Sequence, residues 1–466
     1  MNNHQDIIFH PSRGNGSTGA SDREVFTQFL ATQTQDQINL MNRIASLANL
    51  KRAFKAVKRN KGAPGIDHMT VQQFEDHLND NLNALQTGLI NESYRPLAVR
   101  GVVIPKKDGK HRQLGIPTVK DRVVQQAIAQ ILSPLFDPTF SNAVYGFRPK
   151  RSAHDAIKAA SAYVKEGYTW VVDIDLEQFF DQVNHDKLMS TLARTINDKG
   201  ILKLIRRFLS AGLMQDGLVK VRGQGTPQGG PLSPLLSNIV LADLDKELEK
   251  RGHKFCRYAD DCNIYVASKA AADRVMLSIT RFIKIRLKLK VNGDKSASDR
   301  VSNRQFLGFR LNREGEIALS SNTVVVFKDK IRKLTKRNRG INLNTLVFEL
   351  NQTVRGWFHY FKLAQYPTIL KELDCWIRRR LRCYKIKQRK RKYAIKTFLD
   401  AMGQTQQHSW AIACSRQGWW RKSLNQIVHR AMNREWFNAL GLFSLHEQFI
   451  IHKSKTAVCD TARTVV

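Results

Sequence analysis

The chain has 466 residues, enough for two or three domains with substantial cores. Its 76 Lys and Arg against 40 Asp and Glu give a formal charge of +36, far more than solubility requires. This charge predicts a polyanionic partner and favours nucleic acid over an acidic membrane surface. No apolar run reaches transmembrane length, and the six cysteines form no Cys-x-x-Cys pair, which disfavours a disulfide framework or a zinc ribbon. A reducing cytoplasm fits this cysteine usage best.

The first third of the chain combines helical and strand patterns. Residues 1–22 are rich in Gly, Ser and Asn and are predicted to form a disordered tail. Beyond it, apolar periodicity and turn residues predict helices over 38–57, 71–89, about 118–135 and 152–166, and strands over 99–105 and 111–116.

A β-branched apolar run then places a carboxylate at a strand end. Residues 170–181 read WVVDIDLEQFFD, so Asp175 follows the strand and a helical pattern begins at His185. Farther on, residues 223–238 read GQGTPQGGPLSPLLSN and lead into an apolar helical run over 232–248. Glycine permits close backbone approach to a ligand, and Pro231 suits a first helical turn. By itself this segment would be a glycine-rich connector to a core helix.

Residues 255–266, FCRYADDCNIYV, set adjacent carboxylates Asp260 and Asp261 between two strand-forming runs. They repel each other, and no Gly or Asn marks an ordinary hairpin turn. A carboxylate at one strand end and two at a hairpin tip can hold two Mg²⁺ about 3.5–4 Å apart, as in-line nucleotidyl transfer requires. Asp173 is a rival ligand because residues two apart share a strand face, but a strand-end polar role is favoured for it.

From about residue 324 the pattern becomes helical and very basic. Residues 328–441 contain 26 Lys and Arg against 6 Asp and Glu. Within 378–396 the cations occur without acids and with interleaved aromatics, which favours RNA backbone contact over a solvated charge run. The candidate RNA-binding residues are Arg378, Arg379, Arg380, Arg382, Lys385, Lys387, Arg389, Lys390, Arg391 and Lys392.

Several motifs occur in an order that resembles bacterial group II intron-encoded reverse transcriptases/maturases, over roughly residues 49–445. They are KGAPGID (61–67), RQLGIP (112–117), YGFRP (145–149), DLEQFFD (175–181), TPQGGP (226–231), YADD (258–261) and FLGF (306–309).

The resemblance implies an α+β right-hand polymerase fold with fingers, an antiparallel palm and an α-helical thumb/maturase domain. The expected boundaries are a tail at 1–22, an N-terminal extension and fingers at 23–95, fingers at 96–170, a palm with the catalytic site at 171–320, a thumb/maturase (X) domain at 321–445 and a C-terminal tail at 446–466.

The resemblance also implies roles for single residues. Asp175, Asp260 and Asp261 would be catalytic, with Leu176 added to them as a metal ligand. Lys106 and Arg112 fall at fingertip positions suited to a triphosphate, since Arg forks two phosphate oxygens and Lys supplies a point charge. Phe180 would exclude a ribose 2′-hydroxyl, Gln228 would lie beside the nascent base pair, and Lys295 would approach the pyrophosphate. For each, an ordinary core, surface or loop role is the alternative.

The expected function is RNA-directed DNA synthesis with two Mg²⁺ ions, combined with binding of the parent group II intron RNA to assist splicing and mobility. Expected partners are the intron RNA, an RNA template with a DNA or RNA primer, deoxynucleoside triphosphates and target DNA. No membrane partner is expected, and the location would be the bacterial cytoplasm. A domesticated reverse transcriptase for DNA repair or phage defence, and an RNA-binding splicing cofactor without polymerase activity, are the alternatives. Longer relatives carry a His-Asn-His endonuclease, which is not expected here.

Overall fold

A computed structural model of the protein describes the backbone of residues 40–105, 111–215, 218–220, 224–226 and 229–463. Side chains are described for these residues apart from 111–112, 215, 218–220 and 455–463. The tail predicted over residues 1–22 lies outside the described residues.

The strands form three sheets. In chain order they are β1 (Val99–Pro105), β2 (His111–Ile116), β3 (Trp170–Ile174), β4 (Leu213–Gln215), β5 (Leu218–Lys220), β6 (Lys254–Tyr258), β7 (Asp261–Val266), β8 (Ala297–Arg300), β9 (Phe309–Leu311) and β10 (Ile317–Leu319). The sheet orders are β2-β1-β4-β5, β6-β7-β3-β8 and β10-β9. The first two strands have the bounds that the sequence predicted.

Helices account for most of the remaining described residues. They are α1 (Leu40–Ala45), α2 (Leu47–Arg59), α3 (Val71–Asp76), α4 (Leu78–Ile90), α5 (Val119–Phe136), α6 (Ala153–Lys165), α7 (Phe179–Gln182), α8 (His185–Ala193), α9 (Lys199–Ser210), α10 (Ser233–Lys250), α11 (Lys269–Phe282), α12 (Ser321–Leu334), α13 (Leu343–Phe361), α14 (Pro367–Arg389), α15 (Lys392–Ala401), α16 (Gln406–Cys414), α17 (Trp419–Lys422), α18 (Gln426–Ala431), α19 (Arg434–Ala439) and α20 (Leu445–Arg463).

The chain divides into two compact units. The first contains the residues up to Phe140 together with Glu177–Leu244 and Leu287–Lys290. Its helix α2 begins after Ser46, whose side chain accepts a hydrogen bond from the Asn49 amide, and it buries an apolar stripe at helical spacing. On that stripe Phe54 stacks on Phe74 of α3 with ring centroids 5.1 Å apart.

The second unit contains Ser141–Leu176, Asp245–Arg286 and Val291–Val466. Its sheet β6-β7-β3-β8 is antiparallel throughout, as expected for the palm. A core of buried residues from α6, β3, β6, β7 and the β9–β10 hairpin lies on this sheet, with Ile157, Val171 and Phe309 among them. The unit boundary passes through the expected palm, because Glu177–Leu244 belongs to the first unit.

The C-terminal part is helical from Ser321 onward, as predicted, and has its own apolar core. Helix α20, Leu445–Arg463, contains the described part of the segment expected to be a C-terminal tail, 446–466. Leu445 and Phe449 are buried in the helical core. The carboxylate of Asp374 accepts hydrogen bonds from the amides of Leu445 and His446, which satisfies donors at the start of the helix. Across the described part of the chain, no helix combines the length and apolarity needed to cross a membrane.

Candidate catalytic carboxylate site

The β6–β7 hairpin presents the two adjacent aspartates. Tyr258 pairs with Asp261 across the hairpin, so Ala259 and Asp260 form a two-residue turn. Ala259 has φ +59°, in the left-handed region that costs a non-glycine residue about 1–2 kcal/mol. Such a conformation persists where the surroundings enforce it. The strands themselves are anchored by buried Phe255, Cys256 and Ile264, which leaves the carboxylates at the end of the sheet.

The neighbouring strand brings a third carboxylate to the same end. β3 pairs antiparallel with β7, and the last pair in register is Ile174 with Cys262. Asp175 is one residue beyond Ile174, and Asp261 is one residue before Cys262. The register therefore sets Asp175 beside the start of β7, as the sequence predicted for a strand-end aspartate.

The segment between α11 and β8 holds Asp175 in place. The Asn292 amide donates to the Asp175 carbonyl at 2.9 Å, and the Asn292 side chain donates to Asp175 Oδ2 at 3.0 Å. The Asp175 amide donates to Ser296 Oγ at 2.9 Å. Lys295 Nζ lies 3.7 Å from Asp175 Oδ2, so this lysine, predicted to approach a pyrophosphate, forms an ion pair with Asp175 in the present structure. Asn292 and Ser296 were missed by the sequence reasoning; their local signal is the polar VNGDKS segment around Lys295.

Asp173 has a dedicated cationic partner. Arg304 donates to Asp173 Oδ2 from Nε at 3.0 Å and from Nη2 at 2.6 Å. The same Nη2 also donates to the Lys295 carbonyl at 2.5 Å. Burial raises the pKa of Asp173, and the guanidinium opposes this. These contacts favour the strand-end polar role for Asp173 over direct metal ligation.

The neighbouring carboxylates disfavour the ionisation of Asp261. Burial raises the pKa of Asp261 to about 7, and the charges of Asp260, Asp175 and Asp173 add to the rise, while Lys295 opposes it. A bound divalent cation would offset this repulsion, and carboxylate oxygens are the hard ligands that Mg²⁺ prefers. The donor chemistry therefore fits such a cation.

The arrangement of potential metal ligands is less complete than their donor chemistry. Among the described residues, no group of three or more His, Cys, Asp or Glu side chains is arranged to hold a metal ion. Leu176, expected among the ligands, is buried and forms a bridge with Val291.

The other predicted nucleotide contacts that the structure describes, Arg112 and Phe180, belong to the first unit. Phe180 is the second residue of α7 and is half-buried. Its ring packs edge-on against that of buried Phe179, with 5.2 Å between the ring centroids. Lys106 and Gln228 lie outside the described residues, and Arg112 is described in its backbone alone, within β2. Three residues before Gln228 in the sequence, Gly225 has φ +90°, and a Cβ there would lie 2.8 Å from the Asp181 carbonyl oxygen. This glycine therefore permits close packing against the chain itself, whereas the sequence suggested approach to a ligand.

The predicted RNA-binding run occupies α14 and the start of α15. Its exposed members are Arg389, Lys390, Arg391 and Lys392, at the break between the two helices. Arg382 corrects the prediction: it is buried, and its Nε donates to the Met432 carbonyl at 2.9 Å. Arg380 is half-buried and donates to the Thr335 hydroxyl at 2.5 Å. The other half-buried members are Arg378, Arg379, Lys385 and Lys387.

Comparison with known proteins agrees with this arrangement. Residues 104–311 match the family model described as reverse transcriptase (RNA-dependent DNA polymerase), and residues 324–401 match the group II intron maturase-specific domain. Protein YkfC of Escherichia coli is 33% identical over 306 residues, which cover 57% of this chain and 80% of YkfC. The chain belongs to the group II intron reverse transcriptase/maturase family. Its α+β fold with an antiparallel palm sheet is that of a reverse transcriptase, and the activity of this family is RNA-directed DNA polymerisation with divalent metal ions.

Two further relatives of this reverse transcriptase are intron proteins. The group II intron-encoded protein LtrA of Lactococcus lactis is 37% identical over 209 residues, covering 44% of this chain and 34% of LtrA. An uncharacterized 91 kDa protein in the cob intron of Schizosaccharomyces pombe is 35% identical over 176 residues, covering 38% of this chain and 22% of that protein. The chain thus spans most of YkfC but about a third or less of these two intron proteins.

Proposed function

We propose that this protein synthesises DNA on an RNA template, using two Mg²⁺ ions held by Asp175, Asp260 and Asp261 and by the main-chain carbonyl of Leu176. The observation that carries the proposal is the placement of Asp175, fixed by Asn292 and Ser296, beside the start of β7. When bound, the ions would supply activation of the primer 3′-hydroxyl and stabilisation of the leaving pyrophosphate.

The substrate contacts follow from side-chain chemistry. Lys106 and Arg112 would bind the triphosphate, and Lys295 would exchange its contact with Asp175 for the charge of a phosphate. Phe180 would reject ribonucleotides, and Gln228 would hydrogen bond beside the new base pair. In this assignment the N-terminal extension and fingers comprise residues 23–95, further fingers 96–170, the palm 171–320 and the thumb/maturase domain 321–445.

The second part of the proposal concerns RNA. The exposed cations Arg389, Lys390, Arg391 and Lys392, defined here as the basic tetrad, would bind phosphates of the parent group II intron RNA and help it to splice. The template-primer, deoxynucleoside triphosphates and target DNA are the remaining proposed partners. We also place the protein in the bacterial cytoplasm; the free thiols of Cys256, Cys262, Cys375, Cys383 and Cys414 support a reducing compartment.

Primer extension on an RNA template tests the catalytic assignment. Asp260→Asn preserves side-chain size but removes one carboxylate. We therefore expect the rate of primer extension to fall by about a thousandfold, which corresponds to losing several kcal/mol of transition-state stabilisation by the metal ions. Affinity for long structured RNA should stay within about twofold, since neutralised phosphates, not the palm, dominate that binding.

Asp273→Asn is the matched control, because this exposed aspartate of α11 contacts Ser298 and is not among the clustered carboxylates. It should extend primers at the wild-type rate. Near-wild-type DNA synthesis by the Asp260 variant would refute the assignment.

A further inference from the structure

A fully buried ion pair lies directly behind the turn that carries Asp260. Arg257 of β6 is 0% exposed and Asp245 of α10 is 1% exposed. The Arg257 guanidinium donates from Nε to Asp245 Oδ1 at 2.7 Å and from Nη2 to Asp245 Oδ2 at 2.6 Å. This is the bidentate arrangement in which Arg and a carboxylate match best.

The third nitrogen of the same guanidinium reaches the turn. Arg257 Nη1 donates to the Ala259 carbonyl at 2.8 Å. That carbonyl belongs to the peptide joining Ala259 to Asp260, so the bond fixes the plane from which the Asp260 side chain projects. Because Asp245 binds the Nε–Nη2 edge of the guanidinium, the Nη1 donor has little freedom to move.

The main chain of Arg257 is held as well. Its amide donates to the Ala143 carbonyl and its carbonyl accepts from the Tyr145 amide, each at 2.9 Å. The next residue, Gly146, lies so close to the turn that a Cβ there would be 2.4 Å from the Ala259 nitrogen. Gly146 of the YGFRP segment thus lies directly against the main chain of the turn, where a side chain would clash.

Stability alone does not account for such a pair. Removing two charges from water costs several kcal/mol per ion, and apolar residues of similar volume are often as stabilising or more so. The observed contacts instead constrain the backbone of the turn. They hold Ala259 in its left-handed conformation, next to the Asp260 carboxylate, whose proposed role requires accurate placement.

We propose that Asp245 and Arg257 are positioning residues that fix the Ala259–Asp260 turn and thereby aim the Asp260 carboxylate for metal binding. This inference rests on the proposed catalytic role of Asp260. Asp245 orients the guanidinium, Arg257 holds the Ala259 carbonyl, and neither residue touches substrate.

The decisive variant replaces the pair with apolar residues, Asp245→Leu together with Arg257→Met. The double variant leaves no buried unpaired charge, so we expect thermal unfolding at or near the wild-type temperature. Without the donor to Ala259, the maximal rate of primer extension should fall about 10- to 100-fold, the range for a small misplacement of a catalytic group. The half-saturating Mg²⁺ concentration should rise, whereas the KM for template-primer and the affinity for RNA should stay unchanged.

Arg257→Lys provides a second route in case the double variant does not fold. Lysine keeps the positive charge beside Asp245 but, as a point donor, cannot bond Asp245 twice and Ala259 as well. The same fall in maximal rate and rise in Mg²⁺ requirement are expected. Glu247→Gln is the control: it removes the partly exposed ion pair between Glu247 of α10 and Arg251, which does not involve Arg257 or Ala259, and should leave both quantities at their wild-type values.

The outcomes separate this inference from the proposed function. If the folded double variant, or folded Arg257→Lys, extends primers at the wild-type rate with the wild-type Mg²⁺ requirement while Asp260→Asn is inactive, the pair has no positioning role. If Asp260→Asn itself is active, the proposed catalytic site fails and the inference fails with it.

Discussion

At the scale of single residues, two adjacent phenylalanines have different proposed roles, with Phe180 excluding ribonucleotides and Phe179 packing in the core. Phe179 is 2% exposed, whereas Phe180 is half-buried against its ring. We predict that Phe180→Ala removes a clash with the ribose 2′-hydroxyl and raises ribonucleotide incorporation relative to deoxynucleotide at least about tenfold. Single-nucleotide extension with paired deoxy- and ribonucleotides measures the ratio.

Phe179→Ala is the comparison variant for that experiment. Truncating a buried phenylalanine is expected to cost about 3–5 kcal/mol of stability without selectively admitting ribonucleotides. An unchanged incorporation ratio in folded Phe180→Ala would assign Phe180 to the core.

A second prediction at this scale concerns pH. The pKa of Asp261 is raised to about 7, chiefly by burial and then by its neighbouring carboxylates. Below that pH the protonated form predominates, and a cation must displace the proton in order to bind. The half-saturating Mg²⁺ concentration should therefore rise about tenfold between pH ~8 and pH ~6, as for one displaced proton.

Extension rates at a series of Mg²⁺ concentrations and pH values give this dependence. Above pH ~8 the curve should level, because Asp261 is then already ionised. A requirement for Mg²⁺ that stays constant from pH ~6 to pH ~8 would contradict the coupling of Asp261 to metal binding.

At the scale of elements, the break between α14 and α15 exposes the basic tetrad. Lys390 caps α14 with φ +53°, which ends the helix and turns the chain before α15 begins at Lys392. Neutralising the tetrad to glutamine should lower affinity for structured RNA and flatten the log-log salt slope by up to about 3 units, at roughly 0.7–0.9 per lost phosphate contact. Filter binding over a range of salt concentrations measures both.

Arg382→Gln is the matched control within the same run. Arg382 is buried and bonded to the Met432 carbonyl, so its loss should destabilise the helical core by about 1–3 kcal/mol. The folded variant should keep the wild-type salt slope. If instead the tetrad variant keeps affinity and slope while folded, the exposed cations are a solvated face.

At the scale of the whole molecule, the two proposed activities rest on different cores. The carboxylates lie on the palm sheet, over the core that includes Ile157 and Phe309. The tetrad lies beside the helical core that includes Leu381 and Ile395. Mutations at one site should therefore leave the fold of the other intact, because changes at sites without shared partners usually add independently.

We accordingly predict a double separation of activities. Asp260→Asn should assist splicing of the intron RNA while failing to extend primers. The tetrad variant should extend a short, saturating primer-template at near the wild-type rate while losing splicing assistance. Loss of both activities in either folded variant would mean that one surface serves both functions.

The sequence by itself determined the local elements and the placement of the candidate catalytic carboxylates at strand ends. β-branched runs marked β3 and the β6–β7 hairpin, and turn chemistry marked β1 and β2 with the bounds observed. Strand periodicity needs no distant partner, so the position of Asp175 at a strand end was readable from residues 170–175 alone. The same holds for the helical, basic character of the C-terminal part.

Tertiary structure alone decided which partners these residues have. Asn292 contacts Asp175 from 117 residues away and Arg304 contacts Asp173 from 131 residues away, so no local pattern encodes either pairing. The fold also buries Arg382 in the helical core while leaving Lys390 exposed, although both belong to one basic run without acidic residues. The sequence specifies the charge of each Lys or Arg side chain. Whether that side chain faces solvent depends on which helices pack against its side of α14, and the fold as a whole determines this packing.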